Sequence, residues 1–292
     1  MIYAIENDYL KAKVSDTGAE LVSLTSKIDG CEYIWQGDEK YWTGHAPIMF
    51  PICGRLYEGK YTYKGKEYKM NIHGIVRHEN FMLKSASASE VTLEYTSNDK
   101  TKDIYPFDFI FDVTFRLESA SLEVRFDIKN TGDKELIFAV GGHPAFNVPL
   151  ASNGKFEDWY LEFGKECNAL RVDFSPNCLC TGEDKPFSKN GVKRINLTHD
   201  LFDKDAIFLY NVDKKITLAS KISKKSVTMR FNGMKYIGIW HKPKSDAPYV
   251  CIEPWTSIPA YEGKTDDLET KDGMTHLPCG YSYRNAFKID LT

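Results

Sequence analysis

Four short segments carry the residues best suited to acid–base work: HAPIMFPICGR (His45 to Arg55), NIHGIVRHENF (Asn71 to Phe81), VGGHPAFNVPL (Val140 to Leu150) and VCIEPWTSIPA (Val250 to Ala260). Each sets polar side chains among apolar ones with Gly or Pro nearby, as rigid strand ends do when they present reactive groups. In the third, Gly141 and Gly142 permit close approach of backbone or ligand, and Pro144 fixes the turn after His143, so the imidazole projects from a defined backbone. Histidine titrates near neutral pH and can give a proton in one step and regain it in the next. In the fourth, Glu253 follows Cys251 and Ile252 and precedes Pro254. A carboxylate so placed at a strand end is partly desolvated, which raises its pKa toward that of a base working near neutrality.

Other residues give weaker signals. Trp255 is suited to stacking on the apolar face of a sugar ring, and equally to core packing. His73 and His78 are five apart, an odd separation that a strand would place on opposite faces, so the pair is a poor metal signal. Asp205, in LFDKDAIFL, enters an apolar strand and is suited to accepting hydroxyl hydrogen bonds. Cys178 and Cys180 are separated by one residue, which is not a zinc-binding spacing. The seven cysteines are odd in number and scattered, so they read as reduced thiols buried as small apolar residues. No glycine-rich nucleotide loop and no Gly-x-Ser-x-Gly elbow occurs, and no metal is expected.

These residues must be positioned by strands. Most of the chain alternates apolar and polar residues at period two, rich in Val, Ile, Thr, Tyr and Phe. The clearest runs are Val91 to Thr96, Phe107 to Leu117, Leu122 to Ile128, Leu136 to Val140, Lys215 to Leu218, Val227 to Phe231 and Tyr236 to Trp240. Breaks at Glu118 to Ser121 and Tyr63 to Lys66 predict hairpins. Asn177 to Asn190 reads as a long surface loop, Ser257 to Cys279 as irregular, and Tyr281 to Ile289 as a final strand. Many short strands without intervening helices predict an all-β antiparallel sandwich, and the 292 residues are expected to form one domain over 1–292.

Composition bounds the partners. Lys and Arg number 38 against 41 Asp and Glu, a net charge of −3, so nothing favours a nucleic-acid backbone. No run of about 18 apolar residues suggests a membrane span. The N-terminal MIYAIENDYLKAKVSD lacks a basic region followed by an apolar stretch, so a cytoplasmic location is expected.

In order along the chain, TGAELVSL (Thr17 to Leu24), YIWQGDEKYWTGHAPIMFPICGRL, NIHGIVRHENF, GGHPAFNVPL, KDAIFL and CIEPWTS resemble the aldose 1-epimerase (galactose mutarotase) family, especially its short bacterial branch. The resemblance implies an antiparallel supersandwich with a sugar cleft on one sheet. It implies a cofactor-independent isomerase that interconverts α and β anomers of a free aldose through the open-chain aldehyde. Residue by residue, Glu253 matches the general base and His143 the general acid. His73 matches a second catalytic histidine that hydrogen-bonds the ring oxygen or a neighbouring hydroxyl. Arg55 matches the substrate-positioning arginine, and Asp205 the acid that holds sugar hydroxyls. Ile75, Val76 and His78 depart from the usual pattern of the short branch, which bears on ring selectivity more than on chemistry.

Three rivals share these residues. A hexose-6-phosphate mutarotase would add cationic groups such as Arg77 for the phosphate, and the direction of the Arg77 side chain discriminates it. A non-catalytic sugar-binding protein of the same fold would lack the acid or the base. Glycoside hydrolysis would pair Asp205 with Glu253.

Overall fold

A computed structural model of the chain describes residues 1–150 and 154–292. Two large antiparallel sheets dominate it. The nine-stranded sheet runs, in spatial order, Val192–Asn196, Trp159–Cys167, Lys215–Ser220, Val227–Arg230, Ser282–Leu291, Ser121–Asn130, Phe109–Glu118, Glu90–Thr96 and Met82–Ala86. Its central strands alternate as read: along Ser121–Asn130, Leu122, Val124, Phe126, Ile128 and Asn130 are buried, while residues between them are partly exposed. The buried aromatics form a continuous layer, with Phe50 against Phe109, Phe111 and Phe138 at ring separations of 4.9, 4.8 and 5.5 Å. Fully burying one such side chain stabilises the fold by roughly 1.5–3 kcal/mol.

The eight-stranded sheet runs Lys185–Pro186, Leu170–Arg171, Ile207–Tyr210, Tyr236–Trp240, Tyr249–Trp255, Gly141–Gly142 and Ile48–Met49, with Ala145–Asn147 also paired to Tyr249–Trp255. Period two divides its strands between two environments. Val250, Ile252, Ile237, Ile239, Ile207 and Leu209 join the main core. The alternate residues Tyr249, Cys251, Trp255, Tyr236 and Phe208 fall in two smaller buried clusters on the other face.

Both expected hairpins are present. Glu118 pairs with Ser121 across Ser119–Ala120. Tyr63 pairs with Lys66 across Lys64 and Gly65, both at positive φ, the backbone of a two-residue turn whose twist matches its strands. The expected strands recur with shifted ends. The Leu136 strand stops at Phe138, the Phe107 strand begins at Phe109 and the last strand spans Ser282–Leu291. The long polar loop is more ordered than its composition suggests: Lys185–Pro186 joins the second sheet and Cys180 makes isolated bridges to Phe174 and Tyr261. His73 and His78 are on no strand, since His73 sits in a turn at φ 66° and His78 ends a short 3-10 helix. No helix among the described residues is long and apolar enough to cross a membrane.

Candidate active site

The site is one row of residues across the second sheet. Gly141 pairs with Trp255 and Ala145 with Cys251, and the same register carried across the gap sets His143 opposite Glu253. On the other side of Glu253 lies Gly238, and beyond it Phe208. Cross-strand neighbours on one face stand about 5 Å apart at Cβ, which suffices to bring His143 Nε2 to 3.3 Å from Glu253 Oε1. The His143 backbone N–H donates to the carbonyl of Pro47, just before the Ile48–Met49 strand, which anchors the backbone that carries the ring. The structure corrects one expectation here. Glu253 is not at a strand end but inside the Tyr249–Trp255 strand, all seven residues of which are buried. Pro254 sits between Ile252 and Thr256, whose N–H groups donate to the Pro144 and Val140 carbonyls, so the ladder on the His143 side skips only the one donor that proline lacks.

Gly141 and Gly142 serve the close approach read from the sequence. A Cβ on Gly142 would stand 2.7 Å from the Phe287 ring, and one on Gly141 2.9 Å from the Pro254 carbonyl oxygen. Gly238 is the unforeseen counterpart, since a Cβ there would meet the Phe208 ring at 2.9 Å and Glu253 Cβ at 3.2 Å. Gly238→Ala is therefore expected to push Phe208 into the cavity, costing about 1–3 kcal/mol of stability and raising KM. Urea unfolding and steady-state rates of the variant test this.

A cavity of about 300 Å³ opens over this row. It is lined by the seven residues expected from the sequence to act on or bind the sugar: Arg55, His73, Arg77, His143, Asp205, Glu253 and Trp255. His78 is turned instead to an adjoining groove that shares Arg55 and Arg77 with the cavity. Trp42 and Trp240 flank His143 at ring separations of 5.1 and 5.7 Å, and Trp255 stands edge-on to His73 at 5.4 Å. Trp255 thus both packs, against Phe208 at 4.5 Å, and lines the cavity. Trp42, Trp240, Phe208 and Cys178 were not singled out for this site. Cys178 also departs from the reading of the cysteines as buried apolar filler, because it lines the cavity and its thiol donates to Asp205 Oδ2 at 2.9 Å.

Burial sets the proton affinities. It pushes the Glu253 carboxyl well above its ordinary value, aided by the negative charge of Asp205. It pushes His143 down to about 4, with Arg77 acting in the same direction. The two groups thus compete for a proton in a dry setting where either charge alone is costly. His73 is also held well below the usual histidine range by burial. Its Nδ1 accepts from the Gly54 N–H at 3.2 Å, so the ring proton is on Nε2. His73 is thereby a fixed neutral donor. Both Asp205 oxygens already accept, Oδ1 from the Ala206 N–H and Oδ2 from Cys178.

Ligand atoms of His143, Cys251 and Glu253 lie within 4.8 Å of one another, the one grouping of three potential metal ligands among the described residues. Burial drives the Cys251 thiol well above its ordinary pKa, so it supplies a protonated thiol rather than the thiolate a metal prefers.

Residues 1–262 match the family model for aldose 1-epimerase. The chain belongs to the aldose 1-epimerase family. It is an isomerase of the mutarotase type, acting on a sugar. Its relatives include the plasmid-encoded protein LacX of Lactococcus lactis subsp. lactis, 32% identical over 286 residues that cover 95% of both chains. A galactose mutarotase-like protein from Lactobacillus casei superposes with a TM-score of 0.94 at 34% identity, covering 100% of each chain. A galactose mutarotase related enzyme from Lactobacillus acidophilus does so with a TM-score of 0.94 at 33% identity, covering 100% of this chain and 97% of the other. The all-β antiparallel architecture of this epimerase is the galactose mutarotase-like fold.

Proposed function

We propose that this epimerase interconverts the α and β anomers of an aldohexose in the cytoplasm, with Glu253 as general base and His143 as general acid. The observation that carries the reading is the 3.3 Å approach of the His143 imidazole to the Glu253 carboxyl on the floor of a cavity. Sugar binding in this reading leaves Glu253 ionised and His143 protonated, a redistribution of one proton within the pair. Glu253 removes the proton from the anomeric O1 hydroxyl while His143 Nε2 protonates the ring oxygen and the C1–O5 bond breaks. Rotation about C1–C2 presents the other face of the aldehyde. Reversed transfers then close the ring, with Glu253 returning its proton to O1 and His143 regaining one from O5, so both residues end as they began.

The remaining side chains position the sugar. His73 Nε2–H donates to the ring oxygen or a neighbouring hydroxyl. Asp205 accepts from hydroxyls, a role suited to a carboxylate with both oxygens already anchored, whereas glycoside hydrolysis would ask it to exchange a proton. Trp255 presents its ring to the apolar face of the sugar, and Arg55 binds sugar oxygens from the rim.

One observation favours a second reading, an aldose carrying an anionic group such as a 6-phosphate. Arg77 lines the cavity rather than pointing away, half-buried and with Glu20 as the acidic group that acts on it, and Arg55 lines the same cavity beside the Cys178 thiol. Arginine pairs bidentately with phosphate. If the phosphosugar is the substrate, Arg77→Gln is expected to lower kcat/KM for glucose 6-phosphate about 10- to 100-fold while changing that for glucose little. Equal small effects on both would reject this reading in favour of the free sugar. Anomer exchange rates for the two sugars with wild type and variant decide it.

A further inference from the structure

We propose that Cys178 is a substrate-positioning residue, its thiol holding the Asp205 carboxylate in the orientation that receives a sugar hydroxyl. The inference deepens the reading above, since it rests on Asp205 as a hydroxyl acceptor. Cys178 Sγ donates to Asp205 Oδ2 at 2.9 Å while the Ala206 N–H holds Oδ1 at 2.8 Å. Each oxygen is thus tied once by the protein, and its remaining lone-pair sites are free to face the cavity that both side chains line. Without the thiol, Oδ2 has no other hydrogen-bond partner among the described residues.

The loop is built to deliver this thiol. Cys178 closes a turn through its N–H to the Ser175 carbonyl. Ser175 and Asn177 both donate side-chain hydrogen bonds to Glu262. Cys180 and Glu262 are joined to the same segment by backbone bonds, Cys180 N–H to Ala260 and Glu262 N–H to Cys180. Residues 260–262 continue the chain from the Glu253 strand, so the loop carrying Cys178 is registered to the strand carrying the base. Burial, then Asp205, pushes the thiol up to about 11. It stays a protonated donor at any physiological pH.

The test compares wild type, Cys178→Ala and Cys178→Ser by anomer exchange with galactose and glucose, and by calorimetric Kd for the same two sugars. Loss of a hydrogen bond to a charged acceptor predicts roughly a tenfold rise in KM and Kd for Cys178→Ala, with kcat within about threefold. Cys178→Ser, which keeps a donor, should remain near wild type. In an Asp205→Ala background, Cys178→Ala should add nothing. Unchanged KM and Kd in Cys178→Ala, a fall confined to kcat, or equal losses in the Ala and Ser variants would overturn the proposal, the last pointing to packing alone. Wild type that binds these sugars without epimerising them would refute the proposed free-hexose chemistry, and the Kd ratio would still decide the role of Cys178. Binding of neither sugar would overturn both.

Discussion

Glu253→Gln is expected to lower kcat by about two to four orders of magnitude with little change in KM, the range associated with removing a positioned general base. The substitution keeps the shape and leaves the cross-strand register with His143 intact. It should not unfold the protein. Burial already holds the Glu253 carboxyl toward its neutral form, so a neutral amide of the same size costs no desolvation that the native residue avoids. His143→Asn should cause a comparable loss. Because the two residues exchange protons as a unit, the double variant should be scarcely slower than either single one. Additive losses would mean that the two act in separate steps or that one of them acts only through structure. Exchange rates at saturating sugar, with thermal unfolding as control, separate these outcomes.

The second large effect is on stability in acid. His241 is fully buried, with Nδ1 donating to the Lys242 carbonyl at 2.7 Å and Nε2 3.1 Å from His199 Nδ1. Burial, the leading cause, pushes it down to about 4. The unfolded chain takes up a proton near pH 6.5, and the folded one only near 4. Between those values the unfolded state binds more protons, so stability rises with pH. The contribution is fully present above about pH 6.5 and is lost as the pH falls toward 4. About 1.4 kcal/mol per pKa unit makes this roughly 3 kcal/mol. His143, also pushed to about 4, adds a share of the same sign. Glu253, raised in the fold, has the opposite slope, since its contribution is lost as pH rises above about 4.5. A difference measurement isolates His241. Relative to wild type, His241→Asn is expected to be less stable at pH 7 and to lose about 3 kcal/mol less between pH 7 and pH 4. Urea unfolding followed by tryptophan fluorescence at the two pH values tests this, and parallel losses in both proteins would reject it.

The sheets were legible because their information is local. Alternation in Phe109–Glu118 and Ser121–Asn130 reports a strand with one buried face, and the break at Ser119–Ala120 reports the turn. Strand ends were less legible. Phe138 ends its strand because the chain crosses to pair as Gly141–Gly142 with Ile48–Met49, a choice made by a partner some ninety residues away. The candidate acid and base were read from their segments, since His143 and Glu253 each sit among small or apolar neighbours. What the segments could not tell is that they face one another. That follows from a register set by Gly141, Trp255, Ala145 and Cys251 together. Pro254 misled, because proline normally marks the end of a strand. Trp42, Trp240 and Phe208 resemble any core aromatic in sequence, and only the sheet shows which face they occupy. Cys178 lay in a stretch whose polarity reads as loop. Its place in the cavity depends on Glu262, 84 positions later, and no spacing rule joins them.

The central claim is that this cavity moves protons between a sugar and the His143–Glu253 pair. Exchange NMR on equilibrated galactose, glucose and glucose 6-phosphate tests it most directly, by following magnetisation transfer between the α and β C1 protons. Wild type should accelerate exchange for at least one of the three, in proportion to enzyme concentration, while Glu253→Gln at the same concentration leaves the buffer rate unchanged. Exchange that is equally fast with wild type and Glu253→Gln would contradict the account.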